Sequence, residues 1–559
     1  MKHFVHTAGQ ATPCIFADGA VDAAYRRVAR TYALGLLLLA PVVLGFWSGQ
    51  NGSEGIVTAL NSHLPFVLIA VLAFVTMRTV AVMPDAVWTG FVWIPLQSAL
   101  FYGFGPLVIN WGNEATLLQG SAHFFWPSQH DLARAQLLSA LGIWLVLLGM
   151  WLTMVAVPLP SRVRRSAKAG APLPASTVAP FALGAIAVGC VFTHAVLRPV
   201  QWGLVELTIP GVLTSFALLT DLGFALLAYA TTLRGGRRWR LLFVALLVPH
   251  LLLSLLPFAK TAAVSAVLLP VLGLYLGRRR LGDLAIGAVL VLAVFIVTQP
   301  LVAHGRAALS ERNGDHNLGG YGERVAIVVG YFAGASAGGG LSADLDPSRV
   351  QEWWMRLSYS GPQAAAMGLY DEGHPHDDLS NAWMRFIPRA VWPEKPVMVG
   401  PGMAFYQTVS GRPDASVLVG ISIYADMYWH YGWGGVLVIA PAVGLVFGLF
   451  SRLFLAYVVG RRLLYFPVVL VAIPWFALGP NKFLTNGVIG TIPILLAYVF
   501  LFKAIEDNLA NTARHGRRKG CRQAPFAHLT AGADPCGIRP ARGGRLGPAA
   551  RMTTAVPPD

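Results

Sequence analysis

Charged residues are scarce in this chain. Asp, Glu, Lys and Arg make up 12% of its 559 residues, about half the share that soluble domains carry. Hydrophobic residues make up 55%, and apolar runs recur near the length of about 20 residues that a helix needs to cross the hydrocarbon core of a bilayer. This composition excludes a soluble globule. It predicts an all-α polytopic integral membrane protein.

Cysteine is rare as well. None of the four cysteines lies in the longest polar segment, residues 304–420; they are Cys14, Cys190, Cys521 and Cys536. A disulfide framework is therefore not expected in that segment. A cleavable signal peptide is not expected either, because the first apolar run begins near Thr31, after three arginines. That run should remain in the membrane as an anchor.

Basic residues are scarce in alternate connections between the apolar runs. Residues 48–62 and 110–131 contain neither Lys nor Arg, whereas other connections hold Arg78 and the basic clusters at 162–168, 234–240, 278–280 and 461–462. In a soluble protein the net charge of +16 would suggest nucleic acid, but in a membrane protein the placement of the charges indicates topology, and no nucleic-acid partner is expected. The positive-inside rule predicts a multi-pass protein with both termini in the cytoplasm. In a bacterium this would be a protein of the inner membrane, with the opposite face toward the periplasm.

The apolar runs predict about twelve spans. They lie at 31–47, 63–77, 86–109, 135–157, 178–197, 212–233, 241–258, 262–277, 284–301, 421–454, 463–479 and 485–503. Five regions follow from these spans. They are a cytoplasmic tail at 1–30, nine spans within 31–301, a large periplasmic loop at 302–420, three spans within 421–503, and a disordered basic cytoplasmic tail at 504–559.

The large loop contains most of the candidate chemistry. Residues 304–420 hold 12 of the 26 acidic residues of the chain. Within it, residues 325–341 are apolar and could be re-entrant or could cross the membrane. A crossing would place Arg452, Arg461 and Arg462 on the outer face, so a buried or re-entrant segment is the preferred interpretation.

The densest basic cluster of the loop is Arg385, Arg389 and Lys395. Cations on the outer face run against the usual topological bias, so we expect them to bind an anion. The planar guanidinium of arginine binds phosphate oxygens in pairs, and a lysine acts as a point charge. The alternative is a solvated loop in which these cations pair with Glu394 or another nearby carboxylate.

Further cations are predicted on the same face. Arg306, Arg324 and Arg356 are candidate phosphate ligands, with surface salt bridges as the alternative. Trp353 and Trp354, which precede Arg356, could stack on a sugar ring or lie at the bilayer interface. Lys260, in a short outer connection, could reach a lipid phosphate or simply extend its amine to the membrane surface. Asp221 lies within a predicted span, and the sequence indicates no partner for it.

Candidate catalytic residues follow where the loop returns to the membrane. Asp426 and His430 are four residues apart and therefore share one face of a helix, whereas Tyr428 points elsewhere. Near a low-dielectric boundary, either side chain could serve as a general base. The alternative is an interfacial helix with one polar face. Gly432, Gly434 and Gly435 permit a kink or a close helix contact.

His374, His376, Asp377 and Asp378 are residue types that bind metals, but their spacing matches no known ligand set. A solvated loop is the preferred interpretation. No metal and no cofactor are therefore predicted.

Three stretches together resemble a known family. These are Tyr102–Pro106, the segment 386–396 (FIPRAVWPEKP) and the segment 424–435 (YADMYWHYGWGG). With about twelve spans and one large outer loop late in the chain, they are similar to O-antigen polymerases and related oligosaccharide repeat-unit polymerases. Where those proteins often have Glu before the Tyr, this chain has Asp426 with Tyr428, followed by Tyr431 and Gly432.

The resemblance implies a GT-C-like helical fold and a glycosyltransferase activity. The enzyme would transfer a growing glycan from its polyprenyl-pyrophosphate carrier to the next lipid-linked repeat unit, for O-antigen, capsule or exopolysaccharide. The expected partners are that lipid-linked glycan, membrane lipids and a chain-length regulator protein. An O-antigen ligase that transfers glycan to lipid A core is the nearest alternative. A transporter or flippase is the other alternative, although no internal repeat is visible.

Overall fold

The structure is a computed structural model. It describes residues 20–49, 54–112, 127–159, 175–207, 209, 211–233, 237–315, 317–336, 354–355, 357–387, 391–392, 394–396, 399–413, 417–460, 462–476 and 482–522. These residues form helices and connections, and no β-strand occurs among them. The longer α-helices are Ala20–Gly49, Glu54–Ser62, Leu64–Val82, Gly90–Ser98, Gln129–Ala156, Ala175–Val191, Leu218–Thr232, Arg237–Leu253, Lys260–Arg278, Leu281–Asn313, Tyr321–Ser336, Ser360–Asp371, Pro401–Ser410, Ile423–Val459, Phe466–Phe476 and Ile492–Arg522.

The prediction of an all-α polytopic membrane protein is confirmed. Nine candidate spans in the described part of the chain are long and apolar enough to cross a bilayer: Ala20–Ser48, Glu54–Val82, Gly90–Trp111, Gln129–Ala156, Val178–Gln201, Lys260–Arg278, Leu281–Asn313, Ile423–Val459 and Leu484–Asn508. The other three predicted spans, 212–233, 241–258 and 463–479, correspond to the shorter helices Leu218–Thr232, Arg237–Leu253 and Phe466–Phe476.

Helices Gln129–Ala156 and Ile423–Val459 cross in close contact, and glycine makes that contact possible. A Cβ atom added at Gly149 would lie 2.2 Å from the carbonyl oxygen of Pro441, and one at Gly444 would lie 2.2 Å from that of Val146. Without side chains at these positions, the two backbones approach closely and pack along their length. This contact places the N-terminal ends of the two helices, which the sequence predicts to face outward, side by side.

Residues that the sequence assigns to one side of the membrane contact one another. Arg279 donates to Asp85 at 3.0 Å, and the guanidinium of Arg452 donates to the carbonyl oxygen of Pro158. All four belong to the ends predicted to face the cytoplasm. On the side predicted to face outward, the amide of Asn61 donates to the carbonyl oxygen of Gln129 at 2.9 Å.

The predicted loop 302–420 contains several helices. Helix Leu281–Asn313 extends beyond residue 301, so Arg306 lies on a helix. The apolar stretch from 325 begins within helix Tyr321–Ser336, whose 16 residues are fewer than the ~20 that a span needs. Helices Ser360–Asp371 and Pro401–Ser410 follow. The rest of the apolar stretch, after residue 336, lies outside the described residues.

The chain divides into two units, Met1–Phe502 and Lys503–Asp559. In the second unit the description ends with helix Ile492–Arg522, which extends into the predicted tail 504–559. The remainder of that tail lies outside the described residues. At the other end, helix Ala20–Gly49 begins within the predicted N-terminal tail 1–30, and residues 1–19 are outside the description.

Candidate functional site

The helix Ile423–Val459 is interrupted near its N-terminal end, the end predicted to face outward. Tyr431 (φ −140°, ψ 18°) and Gly432 (φ 59°, ψ −151°) have non-helical backbone angles. The positive φ at Gly432 favours glycine, and a Cβ atom there would lie 2.7 Å from the ring of Tyr370. Residues 423–430 therefore form a separate short segment, called the outer segment below. Its N-cap, Ser422, also has a positive φ of 74°, which is unusual for a side chain with a Cβ.

Asp426 and His430 lie together on the outer segment. His430 Nδ1 is 2.7 Å from the carbonyl oxygen of Asp426 and 3.7 Å from the carboxylate oxygen Oδ1 of Asp426. Both side chains are fully buried. The shared helix face predicted for the two candidate catalytic residues is therefore present in the structure, but neither side chain reaches solvent directly.

Only one of the two carboxylate oxygens of Asp426 accepts a hydrogen bond from the described residues. Its Oδ2 accepts a hydrogen bond from the backbone N–H of Leu484 at 2.6 Å, whereas Oδ1 has no hydrogen-bond partner in the described part of the chain. A buried carboxylate oxygen without a donor is costly unless a positive charge lies nearby. The nearest such group is the ring of His430.

Asp378 connects the outer loop to this segment. Its Oδ1 lies 2.7 Å from His430 Nε2, and its Oδ2 accepts a hydrogen bond from the hydroxyl of Thr485 at 2.6 Å. Burial alone would raise the pKa of Asp378, but the nearby ring of His376 and the hydrogen bonds from His430 and Thr485 outweigh burial and hold that pKa well below its usual range. Asp378 is therefore ionised.

His376 completes the cluster. Its ring stacks on that of Trp429 at a centroid distance of 4.3 Å, and its backbone N–H donates to the carbonyl oxygen of Trp429 at 3.1 Å. Its Nε2 is 3.6 Å from Asp378 Oδ1 and has no hydrogen-bond partner among the described residues. The prediction of a solvated loop at 374–378 is therefore wrong for two of its residues. Although His374 and Asp377 are exposed, His376 and Asp378 pack on the outer segment.

The hydrogen-bond partners of His430 limit the protonation states that its ring can have. Nδ1 faces a backbone carbonyl and Nε2 faces a carboxylate, and both of these groups only accept hydrogen bonds. A neutral imidazole has one donor nitrogen and could satisfy only one of them. His430 is therefore either an imidazolium, with a proton on each nitrogen, or a neutral ligand with a cation beside Nε2.

An arginine near the same junction was missed by the sequence analysis. Arg134, in the first turns of helix Gln129–Ala156, forms a 2.9 Å ion pair with Asp371 and donates to the hydroxyl oxygen of Tyr428 at 3.1 Å. That hydroxyl donates to Asp371 at 2.8 Å. The sequence does carry a signal for it, because Arg134, like Lys260, is a cation at the predicted outer end of a span.

A cavity of about 670 Å³ opens beside the junction. Its polar lining includes Asp131, Arg134, Glu372 and His374, so it shares the 371–378 connection with the His376–Asp378–His430 cluster. Carboxylates and an arginine in an open cavity can bind the hydroxyl groups of a polar ligand. The cavity and the cluster therefore lie at the same, N-terminal end of the helix pair.

Buried amides and hydroxyls support the strained residue Ser422. The amide of Gln363 donates to Ser422 Oγ at 2.7 Å and to Ser139 Oγ at 3.0 Å, and Gln136 donates to Ser360 at 3.0 Å. These bonds join helix Gln129–Ala156, helix Ser360–Asp371 and the start of the outer segment. Their role is to hold the backbone from which Asp426 and His430 project.

Some of the predicted phosphate-binding cations lie outside the described residues, and the others contact groups of the protein. Arg356 and Arg389, and the side chain of Arg385, lie outside the described residues. Lys395 Nζ donates to the carbonyl oxygen of Ile387 at 3.2 Å. Arg306 Nε donates to that of Phe258 at 3.0 Å, and Lys260 Nζ lies 5.3 Å from the ring centre of Phe295.

Arg324 requires a correction. Its side chain is buried and donates to the backbone carbonyls of Gly319, Leu256, Asn317 and Leu318, and it lies 4.2 Å from the ring centre of Trp202. With its donors used in this way, Arg324 is not available to a phosphate. Instead it connects three chain segments.

Asp221 has a partner that the sequence did not reveal. Its carboxylate lies 3.6 Å from His250 Nε2, and the ring of His250 stacks on Phe224 at 4.4 Å. This pair connects helices Leu218–Thr232 and Arg237–Leu253, which accounts for a polar group within an apolar helix.

The chain was compared with protein-family models, with curated proteins and with solved structures. No family model matches it, and neither a curated protein nor a solved structure does so.

Proposed function

We propose that this chain is a membrane glycosyltransferase that polymerises polyprenyl-pyrophosphate-linked oligosaccharide repeat units at the periplasmic face of the bacterial inner membrane. The observation that carries the proposal is the 2.7 Å contact between Asp378 of the outer loop and His430 of a membrane helix. It brings acid and base groups from two parts of the chain to one membrane boundary, beside a polar cavity.

The reaction requires a base for the attacking sugar hydroxyl. Asp426 and His430 are enclosed, but Asp378 is 12% exposed and contacts His430 directly. His376 is 16% exposed, so an acceptor hydroxyl can reach His376 as well as Asp378. Because the pKa of Asp378 is held well below its usual range, His376 is the proposed base. Asp378, which His430 and Thr485 hold in place, orients that ring. This is the arrangement that general-base catalysis uses, in which a second group orients the group that meets the substrate.

The cavity suits a sugar acceptor. Asp131 and Glu372 offer hydrogen-bond acceptors, and Arg134 offers donors that Asp371 and Tyr428 hold in place. Sugar hydroxyls both donate and accept hydrogen bonds, so a lining with both kinds of group matches them better than a purely basic lining would. We therefore assign the acceptor glycan to this cavity.

The leaving group is a pyrophosphate, which needs fixed cations where its charge develops. Arg385, Arg389 and Lys395 remain the proposed cations for it, and the outer position of Arg134 makes this arginine a further candidate. The polyprenyl chains would lie among the apolar helices, and only the headgroups would reach the loop.

A deletion strain of the source bacterium tests the proposal. Loss of a polymerase leaves single repeat units on the acceptor, and plasmid-borne wild-type protein restores long chains. Asp378→Asn should fail to restore them although the protein inserts at normal level, whereas the neighbouring exposed variant Asp377→Asn should restore them. Arg385→Ala and Arg389→Ala should also fail.

Other outcomes reject the proposal. Long chains that stay on the carrier lipid would indicate a ligase, and repeat units that accumulate on the cytoplasmic leaflet would indicate a flippase. Normal chain length with Asp378→Asn would show that the contact between Asp378 and His430 is not needed for glycosyl transfer. Normal chain length with both arginine variants would reject their role in binding the pyrophosphate.

A further inference from the structure

We infer that His376, Asp378 and His430 form a binding site for one divalent transition-metal ion, with zinc the best match to the ligands. The inference does not rest on the proposed glycosyl transfer, because it concerns what the cluster binds. It also goes against the sequence-based expectation of a solvated loop without metal.

The three ligand atoms are already close together. Each residue offers one atom, and all three atoms lie within 4.8 Å of one another. His430 Nε2 is 2.7 Å and His376 Nε2 is 3.6 Å from Asp378 Oδ1. A tetrahedral zinc ion with bonds of 2.0–2.2 Å requires ligand atoms about 3.3 Å apart, which lies between these two distances. Small side-chain rotations would therefore suffice.

The surroundings of His430 favour a ligand role. A metal-bound histidine usually donates its other ring N–H to a carbonyl or carboxylate, and this bond fixes the ring and its tautomer. His430 Nδ1 faces the carbonyl oxygen of Asp426 at 2.7 Å. That bond leaves Nε2 as the nitrogen with a lone pair, and Nε2 is the atom directed at Asp378.

When His430 is neutral, three atoms in the cluster lack a neighbouring positive charge. Nε2 of His430, when unprotonated, and Oδ1 of Asp378 are two acceptors in contact at 2.7 Å. The buried Oδ1 of Asp426, on the other side of the His430 ring, has no hydrogen-bond partner in the described part of the chain. A cation at Nε2 would remove the conflict between the two acceptors and would lower the cost of the buried carboxylate.

The nature of the ligands indicates the metal. Imidazole suits zinc, copper, iron and nickel, whereas magnesium and calcium prefer oxygen ligands. Two histidines and one carboxylate leave a fourth tetrahedral position open, as in sites where zinc also binds water or substrate. His376 and Asp378 are 16% and 12% exposed, so an ion can enter from the outer side.

The metal-bound and doubly protonated forms of His430 exclude each other, because the ion would occupy the place of the Nε2 proton.

Glycan polymerisation is measured in cells and metal binding on the purified protein. Failure of one proposal is therefore distinguishable from failure of the other.

The test uses the full chain, purified in detergent with any histidine tag removed. The protein is stripped with a chelator and dialysed, and zinc is then titrated by calorimetry while bound metal is counted by mass spectrometry. We expect one zinc ion per chain and a thermal unfolding midpoint that rises with zinc concentration, since the ion binds the folded state. Bound Co²⁺ should give the visible bands of a tetrahedral site.

Matched variants locate the site. His376→Gln and Asp378→Asn should each lower the affinity for zinc at least tenfold, whereas the exposed neighbours His374→Gln and Asp377→Asn should keep it. The Co²⁺ spectrum of the wild-type protein needs no variant, so the inference stays testable if a variant fails to fold. It is overturned if the wild-type chain binds no zinc after dialysis, or if the neighbouring variants lose zinc as the cluster variants do. The first result would leave His430 as an imidazolium.

Discussion

Arg324, within the predicted loop 302–420, and His430, just after it, are both buried polar residues, yet their surroundings differ. Arg324 directs its donors at four backbone carbonyls and stacks on Trp202. Around His430, in contrast, a carboxylate oxygen of Asp426 and Nε2 of His376 lack hydrogen-bond partners in the described structure, and the backbone is strained at Ser422.

The difference separates a structural role from a functional one. Satisfied buried donors hold segments together and leave nothing for a ligand, so their removal should cost stability. Unsatisfied buried groups and strained backbone cost stability, and they persist where the rest of the fold compensates for them, which is typical of functional sites. Replacement of Arg324 should therefore lower the stability of the protein, whereas relief of the strained and unsatisfied groups around His430 should raise it.

Replacement of Arg324 should have the largest effect on stability. Arg324→Ala leaves four carbonyls without their donor and should lower the free energy of unfolding by about 3–5 kcal/mol, the range for breaking a buried charged network. The measurement is thermal unfolding of the purified protein in detergent. Arg312→Ala is the control, because Arg312 is 57% exposed and 4.0 Å from Glu323, and it should cost less than about 1 kcal/mol. Equal effects of the two variants would show that the hydrogen bonds of Arg324 to the backbone carbonyls do not stabilise the fold.

The kink of the site helix should be the next most sensitive feature. Gly432→Ala places a Cβ atom at a positive φ and 2.7 Å from Tyr370, and should cost about 2 kcal/mol. Gly434→Ala is the matched control on the same helix, since a Cβ atom there meets nothing within 4 Å. That variant should be neutral or slightly stabilising. If both variants unfold alike, the break at Gly432 is not what shapes the site.

A smaller effect is expected at the edge of the cavity. Tyr428→Phe removes the hydroxyl that donates to Asp371 and accepts from Arg134, but the Arg134–Asp371 ion pair remains. The loss should be about 1 kcal/mol. Tyr431→Phe, at an exposed tyrosine of the same helix, serves as the control and should leave the unfolding midpoint unchanged. A double-mutant cycle of Tyr428→Phe with Arg134→Ala should give a coupling of at least 0.5 kcal/mol; additive effects would show that the two side chains act independently.

Local reasoning succeeded where one short stretch contains the whole signal. The spacing of Asp426 and His430 was enough to place both on one helix face, and the glycines after Tyr431 permitted a kink or a close helix contact, of which the kink is present at Gly432. It failed for Arg324, because the sequence predicts that this arginine lies on the outer side but does not show that the carbonyls of Leu256 and of residues 317–319 surround it. It also misjudged His376 and Asp378, whose polar surroundings in sequence are typical of a solvated loop.

By itself the sequence determined that this protein is helical and embedded in a membrane, because apolar length and low charge leave no other way to bury so much hydrophobic surface. It also determined the local geometry of the outer segment, since helix periodicity acts over four residues. Only the tertiary structure decided which groups meet at the outer end. Asp378 and His430 are 52 residues apart in sequence, and they come together because helices Gln129–Ala156, Ser360–Asp371 and Ile423–Val459 pack side by side, which no local pattern encodes.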